Sequence, residues 1–250
     1  MPNYIKQALH KFKHTLALKP ENALHKWNQP KYGAKQQLSN TKDDIPVLPP
    51  SYITHIHTVV ATLLYYAILV DNTMLIALSN LMFLQKKGTQ NNLDALTQFL
   101  NYAATHPNAT VRFRRSGMIL HIHSDGSYLL APKARSCAGG HFFLSSNTTK
   151  CPLNGPVHVI EKILRNVMGS TAETEVGDSY INGQEAIPLR QALEDMGHTQ
   201  PPTPMQVDNN FAVVFASGTT KEKISKAIDM RFYWTQDRAK QGQFIIYWLP

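Results

Sequence analysis

The hydrophobic period of this 250-residue chain changes at His106-Pro107-Asn108. Before that point apolar residues recur at helical spacing. After it strand-like alternation appears, with helical stretches between the strands. Such a switch restricts the chain to a helical part followed by a part built on a sheet. In the first part Ile5, Ala8, Leu9 and Phe12 mark one face of a helix. Lys6, His10, Lys11, Lys13 and His14 surround it, as either a phosphate-facing or a simply solvated surface. Residues 39–52, SNTKDDIPVLPPSY, read as an extended connector because of their prolines and charges. The spacing then predicts helices over 55–67, 73–85 and 92–104.

Beyond Pro107, Met118, Leu120 and Ile122 alternate as in a strand. HFFLS (141–145) and VHVIEKI (157–163) read as two more strands. Turn-rich segments containing Gly139, Gly140, Asn154 and Gly155 separate them. A long helix is predicted over 171–196, with Pro188 kinking or dividing it. A short strand over 205–208, a short helix, a helix over 228–241 and a last strand, FIIYW (244–248), complete the order. No internal repeat is visible.

Three acids stand at distinct places in this order. Asp125 ends the first strand-like run, Glu175 lies at the opening of the long helix, and Asp208 ends the fourth strand. Carboxylates from separate elements that converge on one point hold hard divalent cations against a phosphate. Taken singly, Asp125 and Asp208 also suit turns, and Glu173 competes with Glu175 as the helix-opening acid, where a carboxylate favours the helix terminus. His121 and His123 share a strand face beside Asp125. Two such histidines can bind a transition metal, but without a third ligand they read as packed side chains.

The charge of +8 and pI near 9.4 favour a polyanionic partner. The two cysteines, Cys137 and Cys151, have no metal-ligand spacing and form no disulfide framework, so an intracellular, reducing setting is expected, cytoplasm and nucleus being undistinguished. The longest apolar stretch, 59–70, is too short to span a bilayer and reads as a core helix, so no membrane partner is expected.

The order of elements resembles the ribonuclease H fold, an α/β architecture of a mixed sheet with flanking helices. Local words resemble the ribonuclease H domain of copia-type retrotransposon polyproteins: HSDGSY, KARSCAGGHFFLSS (133–146), STAETEVGDSY, VDNNFAV and KAIDMRFYW. KARSC begins what resembles that family's Arg-Ser-x-x-Gly turn. MPNYIKQALHKF resembles the segment that follows the polymerase palm, and residues 59–81 resemble the helical connection before the nuclease domain, with Ala61 where the family carries glycine. The resemblance implies a helical thumb- or connection-like region over 1–110 and a ribonuclease H-like domain over 111–250. It implies hydrolysis of the RNA strand of an RNA–DNA hybrid with two Mg2+ ions, Mn2+ substituting, and the rest of a retroelement polymerase as a further partner. Asp125, Glu175 and Asp208 would be the catalytic and metal-binding residues, and Lys133 and Arg135 would contact nucleic acid. The family's motif selects Glu175 over Glu173. The family's Tyr-x-Asp-Asp polymerase word does not occur, and Asp43-Asp44 in the connector does not replace it. Asp229 reads as a helix cap. The family's fourth aspartate follows the last strand at the head of a terminal helix, and the sequence ends at Pro250 before such a segment. A truncated, catalytically impaired remnant that only binds nucleic acid is the alternative expectation.

Overall fold

The computed structural model describes residues 1–15, 17–26, 47–83, 88–131, 135–146, 152–218 and 230–249. The chain divides into two compact units, Met1–Val111 and Arg112–Pro250.

The first unit is helical: α1 (Tyr4–Lys11), α2 (Pro50–Leu69), a 3-10 turn (Asn72–Met74), α3 (Leu75–Phe83) and α4 (Gln90–Thr105). The amphipathic reading of α1 is correct, since Ile5, Ala8 and Leu9 are buried while Lys6, His10 and Lys11 are exposed. Tyr4 stacks on Tyr66 at 5.6 Å, and its hydroxyl donates to the Thr62 carbonyl at 2.8 Å. Proline opens α2, where its missing N–H costs nothing. Helix α4 begins at a capping box formed by Thr89 and Asn92. The 20 residues of α2 exceed the apolar stretch read from sequence. By length and composition alone α2 could cross a membrane, yet one face, including Val59, Val60, Leu63 and Ala67, is buried in the unit.

The second unit carries β1 (Ile119–Ala131), β2 (Arg135–Ser145), β3 (Pro156–Ile163), α5 (Thr171–Asp195), β4 (Thr203–Val207), α6 (Asn210–Ala216), a 3-10 turn (Met230–Phe232), α7 (Tyr233–Lys240) and β5 (Phe244–Trp248). The sheet order is β3-β2-β1-β4-β5. The first three strands form an antiparallel meander, while β4 lies parallel to β1 and β5 parallel to β4. Each parallel step needs a crossover, the first including α5 and the second including α6 and α7. This is a ribonuclease H-like fold: a mixed five-stranded sheet with flanking helices.

Alternation sets the core. Leu120, Ile122, Ala138, Phe142 and Ile160 join Val176, Ala186 and Leu193 of α5, together with Met205 and Val207 of β4. Gln200 ties the start of β4 to β1, accepting from Leu120 N–H and donating to the Met118 carbonyl. Arg190 of α5 donates to the Gln200 and Pro201 carbonyls and to Thr203, which fastens the helix to the same corner.

The structure corrects three local readings. Gly139 and Gly140 lie inside β2 rather than in a turn, and Arg135-Ser136 is strand as well. Asp125 is within β1, which runs on to Ala131, so it does not end the strand. Helix α5 runs through Pro188 as one element, so the proline does not divide it. The glycine doublet was misread because its reason lies elsewhere in the chain. A Cβ on Gly140 would sit 1.9 Å from Asn182 Oδ1, and one on Gly139 would sit 2.9 Å from the Asp125 carbonyl. Glycine here admits α5 and its side chains close to the sheet.

Gly140→Ala should therefore destabilise the second unit by about 1–3 kcal/mol, the ordinary cost of overpacking. Urea denaturation of the variant against the wild type measures this.

Candidate metal centre

Parallel pairing places two acids side by side. Ser124 of β1 is in register with Val207 of β4, so the next residue of each strand path is Asp125 and Asp208. The Asp208 carbonyl accepts from Trp248 Nε1 at 2.9 Å, and Asn209 caps α6 by accepting from Phe211 N–H. The carboxylate that follows β4 thus leaves from a backbone held on both sides.

Helix α5 supplies the third acid. Ser170 caps it, accepting from Glu173 N–H at 3.1 Å, and the Glu173 carboxylate accepts from Gly169 N–H at 2.7 Å. Glu173 is thereby spent on the helix terminus. Glu175, further along α5, is the acid that reaches the other two. One oxygen each from Asp125, Glu175 and Asp208 lies within 4.8 Å of the others. Glu175 is 2% exposed, while Asp125 and Asp208 are exposed.

The electrostatics follow from this crowding. Burial, then a hydrogen bond with Asp208, then the charges of Asp208, Asp178 and Asp125, raise the Glu175 pKa from 4.5 to about 9. Burial and Asp208 also raise that of Asp125. Glu175 Oε2 is buried without a hydrogen-bond partner. Three hard oxygen donors, an unsatisfied buried acceptor and uncompensated negative charge fit a divalent cation with oxygen coordination.

Behind the three acids lies a polar network that the sequence reading missed. Asp178 is fully buried and accepts from Ser124 Oγ. Asn182 Nδ2 lies 3.0 Å from Asp178 Oδ1, from Ser124 Oγ and from the Gly139 carbonyl. Ser124 precedes Asp125 and Gly139 pairs with it, so the network grips β1 and β2 at the point in the ladder that carries Asp125. Burial is the main cause raising the Asp178 pKa well above the usual carboxylate range. The available signal was spacing: Glu175, Asp178 and Asn182 share one helix face, opposite the glycine doublet.

The other sequence candidates lie elsewhere. Lys133, Cys151, Asp229 and Asp43-Asp44 are outside the described residues. Arg135 Nη1 donates to the Arg165 carbonyl at 3.0 Å, which joins the start of β2 to the loop after β3. His121 and His123 pack with His141 around Phe143. Burial lowers the pKa of all three histidines. They act as aromatic filling on this sheet face. Among the described residues the acidic trio is the group placed to hold a metal.

A carboxyl whose pKa is higher folded than unfolded keeps a proton that the unfolded chain has lost. Stability then falls as pH rises from the unfolded to the folded value. For Glu175 that window runs from 4.5 to about 9. With chelator present, melting temperature should fall across this window, and Asp208→Asn should flatten the decline by removing a repelling charge. Asp178→Ala would orphan Ser124 and Asn182 and should cost about 1–3 kcal/mol in denaturant unfolding.

No family model and no curated protein matches the chain. Among solved structures, ribonuclease H1 from the halophilic archaeon Halobacterium salinarum aligns over 53% of this chain and 86% of that one, at 14% identity and a TM-score of 0.32.

Proposed function

We propose that the second unit is a divalent-metal-dependent nuclease that hydrolyses the RNA strand of RNA–DNA hybrids. The observation that carries this reading is the convergence of Asp125, Glu175 and Asp208, from a strand, a helix and a strand end, within 4.8 Å. Mg2+ bound there, as two ions with Mn2+ as substitute, would polarise the scissile phosphate and make a nucleophile of bound water. Asp125 and Asp208 face solvent and meet the substrate side. Glu175 must lose its proton when metal enters, so affinity rises with pH. Asp178 and Asn182 hold the strand that carries Asp125, which keeps the carboxylates in position as metal charge arrives.

The copia-like words support a finer reading. The chain derives from a retroelement polyprotein, with the helical first unit corresponding to the polymerase-adjacent connection. It acts inside the cell, where RNA–DNA intermediates arise, and the rest of such a polymerase is its natural partner. The positive charge supports a phosphate-bearing substrate. Arg135, already bonded to the Arg165 carbonyl, keeps its remaining donors for phosphate, and Lys133 precedes it in sequence.

Cleavage of an end-labelled RNA–DNA hybrid by the full chain tests the proposal. Mg2+ should support cutting of the RNA strand, and chelator should abolish it. Duplex DNA should be spared. Glu175→Gln and Asp208→Asn should each lower the rate beyond the roughly 10–100-fold that losing a supporting partner costs a metal site. Hybrid binding without cleavage at any metal concentration would leave a nucleic-acid-binding remnant in place of an enzyme.

A further inference from the structure

The second unit opens with Arg112-Phe113-Arg114-Arg115, a segment with no part in the acidic centre. All four side chains are exposed, and Phe113 is 65% exposed. Among the described residues no carboxylate forms an ion pair with any of the three guanidinium groups. A loose charged tail would look the same in sequence, but this segment is fastened. Asn154 Oδ1 accepts from Arg114 N–H at 2.7 Å, and Asn154 Nδ2 donates to the Arg114 carbonyl at 3.0 Å. The same amide donates to the Leu144 carbonyl at the end of β2. One side chain therefore pairs with both backbone groups of Arg114, as a neighbouring strand would.

Gly155 completes the seat. A Cβ there would lie 2.8 Å from Phe113 Cδ1 and 2.9 Å from the Arg112 carbonyl, so glycine lets the segment lie against the turn before β3. Downstream, Gly117 N–H donates to Ser146 Oγ at 2.9 Å. The backbone is held at three points while its cations and ring face water.

Guanidinium groups carried on a held backbone match phosphate oxygens, and only their side chains remain to be ordered on binding. An exposed ring among them offers a stacking platform to an unpaired base, which a duplex does not present. We propose that residues 112–115 form a binding strip for single-stranded nucleic acid. The location follows from register: Asn154 meets Leu144, Leu144 pairs with Leu120, and Asp125 lies five residues further along β1. That separation is about 15–20 Å at the rise of a strand. At about 3.4 Å per nucleotide it corresponds to roughly five nucleotides. Given the hybrid nuclease reading, on which this placement rests, the ligand is the single-stranded extension of a hybrid seated at the acids.

Fluorescence anisotropy with the full chain in chelator, so that nothing is cut, tests the strip. The probes are a blunt RNA–DNA hybrid, the same hybrid with an overhang of about six nucleotides, and the overhang strand alone. The overhang should tighten binding about tenfold, with Phe113→Ala and the triple variant Arg112→Ala/Arg114→Ala/Arg115→Ala returning it to the blunt value. Phe113→Tyr should keep the preference. The triple variant should lower the salt slope by about two, at roughly 0.7 per single-strand phosphate contact. Asp208→Asn should retain the overhang effect, which separates the strip from the acidic centre. Equal binding of blunt and overhanging hybrids by the wild type, or an unchanged triple variant, overturns the proposal even if the hybrid is cut with Mg2+. Displacement by polyglutamate as effective as by unlabelled single strand overturns it too, and reassigns the strip to acidic proteins. An overhang preference in a chain that never cuts keeps the strip and removes the nuclease reading.

Discussion

The parallel pairing of β1 with β4 is the constraint on which the site depends. It sets Asp125 beside Asp208 with no turn between them to relax their repulsion. Glu175 then arrives from α5 as a buried carboxyl beside two acids that are exposed and already negative. Without a cation the arrangement is electrostatically unfavourable, and the crowding raises the pKa of Glu175 to about 9, which favours its protonated form. A metal ion would remove that cost, so binding and stability are coupled through the same three oxygens.

Holding like charges together requires support from behind. The support is polar rather than apolar, with Asp178, Asn182 and Ser124 joined in one buried group. Burying such groups is costly unless each is satisfied. The return is directional: hydrogen bonds fix the rotation and depth of α5 over β1 and β2 in a way that apolar contact alone does not. The glycine doublet of β2 belongs to the same device: only hydrogen at Gly140 lets Asn182 reach the sheet, and only hydrogen at Gly139 leaves room for the Asp125 carbonyl of β1. The β-hairpin and helix α5 are therefore matched to each other residue by residue.

Much of this architecture was legible in the sequence. The period switch at Pro107 separates helical from sheet-forming chain, and the order of strands and helices in the second unit followed from alternation and turn residues. FIIYW falls on β5 residue for residue, being a short apolar run after a glycine. The three acids stood out because each bordered or opened a regular element. The less legible parts share a cause. Strands β1 and β2 extend well past their apolar cores, through residues such as Ser127 and Gly139 whose strand conformation is secured by ladder partners rather than by their own patterning. Pro188 lies in an unbroken helix because α5 is held along its length by the sheet beneath it.

The sequence by itself determined which elements form, in what order, and that acids are spaced to meet if the strands pair in parallel. These are local properties, written in periodicity and in caps. Tertiary structure decided which acids meet. It assigned Glu173 to the helix terminus and Glu175 to the cluster, placed Asp178 and Asn182 behind it, and fastened residues 112–115 through Asn154. Each of these outcomes turns on contacts between segments tens of residues apart, whose distances depend on sheet register and helix depth, and no local pattern encodes either.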